Sequence, residues 1–301
     1  MNWLTTIRDK SKPFFLYVAF NEPHEPIATD PRYRALYEKR HPDDPIRVAC
    51  YGNVTQMDDA LGRILRALEA QGLAENTLVW FTSDNGPART KWHNAGSSGG
   101  FREFKGHMYE GGLRVPGIIR WPGHVAPGST STQPVSGVDV MPTLCQITGI
   151  AAPADRTLDG TSIGAIFSGG TVARAKPLYW QYIFAPSKPQ IALRQGPWKI
   201  LAWLDGPRPK PREITPSQMQ LIKSARLAGF ELYNLEVDPA EKNDLSATQP
   251  AKLAELRTIL EKIHADVRAE GPVWPDFEDS GYEQRVIKWP DYVAKPLRRD
   301  G

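Results

Sequence analysis

Cysteine is nearly absent. The chain has 301 residues and two cysteines, Cys50 and Cys145. Two are too few for a disulfide-dense scaffold or a four-cysteine zinc site. They decide neither the redox compartment nor whether they pair. Long apolar runs are also missing. The longest, Phe14 to Phe20, falls far short of the roughly 20 residues of a membrane-spanning helix. No membrane span is therefore expected, and Met1 to Lys12 has no apolar core of the signal-peptide kind. Net charge is small: 37 Lys and Arg against 34 Asp and Glu leave +3. That balance argues against nucleic acid as a partner, which usually leaves a strongly basic face. Hydrophobic residues make up 41% and charged residues 24%, which excludes wholesale disorder.

Turn-forming residues are plentiful. The chain has 27 prolines, well above a usual share of about 5%, and 25 glycines. A loop-rich globular protein follows, and its nine tryptophans divide between core and ligand-facing positions. Residues 13–20 form an apolar run bounded by Pro13 and by Asn21-Glu22-Pro23. This suits a strand buried on both faces of a parallel sheet. A second run, Leu78 to Thr82, ends in Ser83-Asp84-Asn85-Gly86. Between them Val54, Met57, Leu61, Leu65 and Leu68 repeat at helical spacing, and Gly72 stops the helix. Strand, loop, helix and strand predict a βαβ unit and an α/β fold.

Val115 to Trp121 reads as another buried strand, and Val138 to Ile150 as a short helix ending near Gly149. A domain boundary is placed near residue 172. Beyond it, runs at 179–182, 191–194, 198–201 and 231–235 suit a small antiparallel sheet. Leu253, Leu256, Leu260, Ile263 and Val267 then mark one face of a helix, with Thr248 as its expected N-cap. The expected division is 1–172, 173–270 with an α+β character, and an irregular tail 271–301 that wraps back over the body. The basic stretch 206–217 reads either as a solvated connection or as a contact for an anionic substrate.

Three clusters carry candidate chemistry. Asp84 and Asn85 offer hard oxygen donors directly after a strand, where ligands of open α/β sheets bind. Hard oxygens suit Ca²⁺ or Mg²⁺, although Asp, Asn and Gly also make ordinary turns. His24, held between Pro23 and Pro26 after the first run, is placed to act as a general acid or to bind an oxyanion. A structural loop histidine is the alternative. Phe104 to Pro116 packs Lys105, His107, Glu110 and Arg114 around glycines that allow close backbone approach to a ligand. Lys105 offers a charge to an anion, while Glu110 and Arg114 also read as a structural pair.

In this order, Pro23-His24-Glu25-Pro26, Thr82-Ser83-Asp84-Asn85-Gly86 and Lys105-Gly106 followed by Tyr109-Glu110-Gly111-Gly112-Leu113-Arg114 resemble the sulfatases of the alkaline phosphatase superfamily. The resemblance continues in Asp139-Val140-Met141-Pro142-Thr143, in Leu158 to Ser162, and in Leu232-Tyr233-Asn234-Leu235 running to Asp238-Pro239-Ala240-Glu241. It covers roughly residues 13–265 and is nearest to arylsulfatases and N-acetylgalactosamine-6-sulfatase-like enzymes. It implies an alkaline-phosphatase-like sheet flanked by helices and a smaller C-terminal α+β domain. The implied activity is hydrolysis of sulfate esters, with Asp84 and Asn85 as ligands of Ca²⁺, or of Mg²⁺. His24 would protonate the leaving alcohol, and Lys105 would bind the sulfate oxygens. The implied partner is a sulfated small molecule or glycan; its subsite residues are not given by the motifs, and Trp92, His93 and Arg102 are candidates from their loop location alone. The implied location is periplasmic, secreted or lysosome-like.

The sequence departs from this family in one respect. The family has an early apolar strand ending in Asp-Asp, then C-x-P-x-R or S-x-P-x-R, whose Cys or Ser becomes formylglycine. Neither is found here. Cys50 and Cys145 do not begin that motif, and Asp43-Asp44 and Asp58-Asp59 do not follow a strand. The resemblance places Met1 inside the family's usual chain. It implies an incomplete sheet, a missing N-terminal segment needed for folding, and little or no sulfatase activity of this chain alone. Two other readings stay open: a phosphonate or phosphate diester hydrolase of the same superfamily, and a non-catalytic remnant that binds sulfated glycans.

Overall fold

Two helices open with the same device. In α1 (Pro31–Glu38) and α2 (Pro45–Ala70) a proline occupies the first turn, where no backbone N–H is required, and the preceding aspartate caps the end. Asp30 accepts from the Arg32 N–H at 3.0 Å and Asp44 from the Arg47 N–H at 2.9 Å. The helix expected from Val54 thus begins at Pro45. Its first turns carry Val48, Cys50, Gly52 and Asn53 against α1 and its approach, in place of a leucine stripe. Gly52 is required there: a Cβ would lie 2.8 Å from the Thr29 methyl and 3.1 Å from the Arg34 nitrogen. The computed structural model describes residues 2–90, 94–206, 208 and 216–271. Trp92, His93, most of the basic stretch 206–217 and the tail beyond Gly271 lie outside the described residues.

Three expectations are corrected around the first sheet. Residues 13–20 are not a buried strand: they pair with no strand among the described residues, and Phe15 and Tyr17 are 70% and 81% exposed. Strand β1 (Val79–Thr82) pairs antiparallel with β2 (Gly117–Arg120), matching Val79 to Arg120 and Thr82 to Gly117. No parallel βαβ unit is present among the described residues, and β2 is half exposed rather than buried. The reason lies in pairing: an apolar run becomes a buried strand only when neighbours cover both its edges and faces. Residues 110–113 form a single helical turn, α3 (Glu110–Leu113). Helix α4 (Val140–Thr148) ends at Gly149 as expected, in the left-handed conformation that glycine adopts without strain. A short helix, α5 (Gly164–Phe167), follows.

The second sheet is a four-stranded antiparallel meander of β3 (Leu178–Gln181), β4 (Ile191–Gln195), β5 (Trp198–Leu204) and β6 (Leu227–Asn234). Helix α6 (Pro216–Ser224) precedes β6, and α7 (Pro250–Glu270) follows it. The cap of α7 is Gln249, not Thr248, because Pro250 takes the first helical position. Side chains alternate between the faces of a strand. Ile191, Leu193, Ile200, Ala202 and Leu232 therefore pack on Leu256 and Leu260 of α7. Ala192, Leu201 and Tyr233 face the other way, onto Met108 and Tyr109. By the same alternation Lys199 points toward α3. No described helix is long and apolar enough to cross a membrane.

Candidate active site

Three loops carry the residues singled out from sequence, and backbone contacts join them. The β1 strand delivers Asp84 and Asn85 at its end. The next residue, Gly86, donates its N–H to Gly112 O at 2.9 Å, and Lys105 donates its N–H to Pro87 O at 2.9 Å. Gly86 touches the Y-E-G-G segment so closely that a Cβ would lie 1.9 Å from Gly111 O. The His24 loop reaches the same region through Glu25, whose carboxylate accepts from the Thr90 hydroxyl. Asp84, Asn85, Lys105 and His24 thus lie on three loops tied to one another.

The groups differ in exposure. His24 and Asp84 are exposed, Asn85 and Lys105 half-buried. His24 Nδ1 lies 2.7 Å from Glu25 O. A carbonyl only accepts, so Nδ1 carries the proton and Nε2 is the ring's working atom. Asn85 donates through Nδ2 to Gly86 O at 3.0 Å, which leaves its acceptor oxygen for another partner. Asp84 Oδ1 accepts from Ser83 Oγ at 3.3 Å. These two oxygens have the chemistry of calcium ligands, but Ca²⁺ takes six to eight. Among the described residues no group of three or more His, Cys, Asp or Glu side chains is assembled to hold a metal. The pair fits part of a cage and not a whole one. His107, next to the lysine loop, is buried, and that burial holds its pKa below the usual value against the pull of Glu103, so its ring is neutral.

Behind the loops lies a charge cluster that sequence reasoning missed. Glu110 is buried, and Lys199 Nζ lies 2.9 Å from its Oε1 and 2.8 Å from Glu241 Oε1. Glu241 Oε2 also accepts from the Glu110 N–H at 2.6 Å. Burial pushes the Glu241 carboxyl up, against the opposing charge of Lys199. Arg194 and Arg114 stand farther off, 3.7 and 3.9 Å from Glu110 Oε2. Glu110 is therefore structural, and its principal partner is Lys199 rather than Arg114. Arg102 donates to Tyr233 Oη and to Glu241 O, each at 3.0 Å, with its guanidinium over the Tyr109 ring. Arg102 thus ties the loop to the second sheet. A lysine inside the apolar run Trp198-Lys199-Ile200-Leu201 was the one signal available in the sequence.

Comparison with known proteins identifies the family. The sulfatase family model matches residues 1–150, and the model for the C-terminal part of N-sulphoglucosamine sulphohydrolase matches residues 99–205. Arylsulfatase A of Homo sapiens is 33% identical over 245 residues, covering 78% of this chain and 45% of that one. N-acetylgalactosamine-6-sulfatase of Mus musculus is 35% identical over 204 residues, covering 67% of this chain and 37% of that one. The crystal structure of Ps i-CgsB in complex with k-i-k-neocarrahexaose superposes with a TM-score of 0.70 at 27% identity, covering 92% of this chain and 55% of that chain. The chain belongs to the sulfatase family, and its fold is alkaline-phosphatase-like with partial sheets. It spans about half the length, or less, of the relatives it matches.

Proposed function

We propose that the chain supplies the leaving-group and sulfate-binding half of a sulfuric ester hydrolase acting on aryl sulfates or sulfated carbohydrates. The observation that supports this reading is the backbone joinery at Gly86, Lys105 and Gly112, which ties the loop bearing Lys105 to the segment that follows Asp84 and Asn85. Sulfate transfer leaves negative charge on the nonbridging oxygens and builds it on the departing alcohol oxygen. Cations and proton donors fixed in place lower that barrier. Lys105 neutralises the nonbridging oxygens. His24 in its protonated form offers Nε2–H to the leaving oxygen, since Nδ1–H is already engaged by Glu25 O. Asp84 and Asn85 would hold Ca²⁺ with ligands from elsewhere, and the bound ion would add positive charge at the sulfate.

The family's formylglycine motif is not in this sequence, so the purified chain is expected to turn over little or no 4-nitrocatechol sulfate. We also place beside it a further polypeptide segment that covers the exposed run 15–18. Binding of inorganic sulfate, followed by calorimetry, tests the site: it is expected to weaken at least tenfold in Lys105→Ala. Turnover by residues 1–301 that His24→Ala abolishes would overturn the expected inactivity. Absence of any sulfate binding would overturn the site. The source DNA upstream of the Met1 codon tests the rest: an in-frame Asp-Asp followed by C-x-P-x-R or S-x-P-x-R is expected.

A further inference from the structure

We propose that Lys199 is a positioning residue of this site: it acts through Glu110 and Glu241 to hold the loop that presents Lys105. Lys199 itself is fully buried on β5, with its ammonium between two carboxylates at 2.9 and 2.8 Å. The two carboxylates come from segments far apart in the chain, the α3 turn and the turn after β6. One cation thereby pins the second sheet, the 238–241 turn and the α3 turn together.

The constraint runs onward through backbone. Glu110 opens α3, and the next residue, Gly111, donates to Arg102 O at 2.8 Å, closing the 102–111 loop around Lys105. Gly112 O then accepts from the Gly86 N–H at 2.9 Å, beside Asn85. The joint at Gly111 has no slack, since a Cβ there would meet Arg102 O at 2.4 Å and Glu103 O at 2.1 Å. Removing the ammonium leaves two buried carboxyl groups without their shared donor, and the α3 turn loses its tie to β5 and to the 238–241 turn. Movement of α3 displaces both ends of the 102–111 loop. The functional consequence rests on the reading of Lys105 as the sulfate-binding cation. The positioning of the loop does not.

The test compares three variants with the parent chain. Lys199→Met removes the charge at similar length. Leu260→Ala weakens the core under the opposite face of the same sheet, and Lys105→Ala removes the proposed ligand. Amide hydrogen exchange is expected to accelerate ~10-fold or more at 102–114 in Lys199→Met, with a smaller change at 191–204. Leu260→Ala is expected to show the reverse order. Exchange at 102–114 that stays unchanged, or rises no more than in Leu260→Ala, would overturn the proposal. Inorganic sulfate is the second probe: Lys199→Met is expected to weaken its binding about tenfold at temperatures where Leu260→Ala binds as the parent does. A loss in Lys199→Met no greater than that in Leu260→Ala would overturn its role in positioning Lys105. If the parent binds no sulfate, or Lys105→Ala binds as well as the parent, the Lys105 reading falls and the exchange data alone decide the role of Lys199. Should Lys199→Met not fold, Glu110→Gln is measured in its place, with the same exchange pattern expected.

Discussion

Arg174 closes on Asp139 with both terminal guanidinium nitrogens, at 2.8 and 2.5 Å, across a sequence separation of 35 residues. Asp139 has no exposed surface. It also accepts from the Ser136 N–H at 2.8 Å and the Thr161 N–H at 2.9 Å. One carboxylate thus gathers the start of α4, the Leu158 to Ser162 segment and the approach to the second sheet. In Arg174→Ala the carboxylate stays buried without its cation. A loss of about 3–5 kcal/mol is expected in urea unfolding. A loss below about 1 kcal/mol would show that the surrounding N–H donors suffice.

Gly86 marks the tightest approach between the Asp84-Asn85 turn and the Y-E-G-G segment. A methyl group there has only backbone to push against, at 1.9 Å from Gly111 O. Gly86→Ala is expected to cost about 1–3 kcal/mol, as overpacked sites do, and to weaken sulfate binding as Lys105→Ala does. A variant with parental stability and affinity would mean that the two loops separate without consequence.

His264 gives the stability a pH dependence with a definite sign. It is buried on α7 and shares a hydrogen bond with Tyr179 Oη at 3.0 Å. Burial, aided by the nearby charge of Arg268, holds its pKa at about 4, down from 6.5. Between these values the unfolded chain takes up a proton that the folded chain refuses. Its contribution is therefore complete above pH 6.5 and is lost as pH falls toward 4, on the order of 3 kcal/mol in all. Urea unfolding at pH 7.5 and 4.5 is expected to show a smaller pH difference for His264→Gln than for the parent. Identical differences would exclude His264 as the cause.

The run Phe15-Leu16-Tyr17-Val18 is exposed along its whole length. Contiguous apolar surface of this kind binds dyes and other chains. The purified chain is expected to enhance anilinonaphthalene sulfonate fluorescence and to self-associate in sedimentation. Phe15→Lys combined with Tyr17→Lys is expected to remove about half of the dye signal or more. No change in either measurement would place the dye-binding surface elsewhere.

Legibility from sequence followed the range of the forces involved. The meander and α7 were readable because period-2 and period-3.6 apolar patterns are local and each element buries one face. The start of α2 was not, since Pro45 and its Asp44 cap precede a stretch whose buried residues are small or polar. The loops bearing His24, Asp84, Asn85 and Lys105 were readable from turn residues and motif order. That they meet was not, because the contacts at Gly86, Lys105 and Thr90 are tertiary.

By itself the sequence determined which residues have the chemistry to meet a sulfate and a hard cation, and which family they resemble. Side-chain chemistry and short-range backbone preference are written residue by residue. Only the tertiary structure decided that Lys199 joins Glu110 to Glu241, and that residues 15–18 stand uncovered. The Lys199 ion pair with Glu110 joins residues 89 apart in sequence, and a strand exists only where another strand pairs with it.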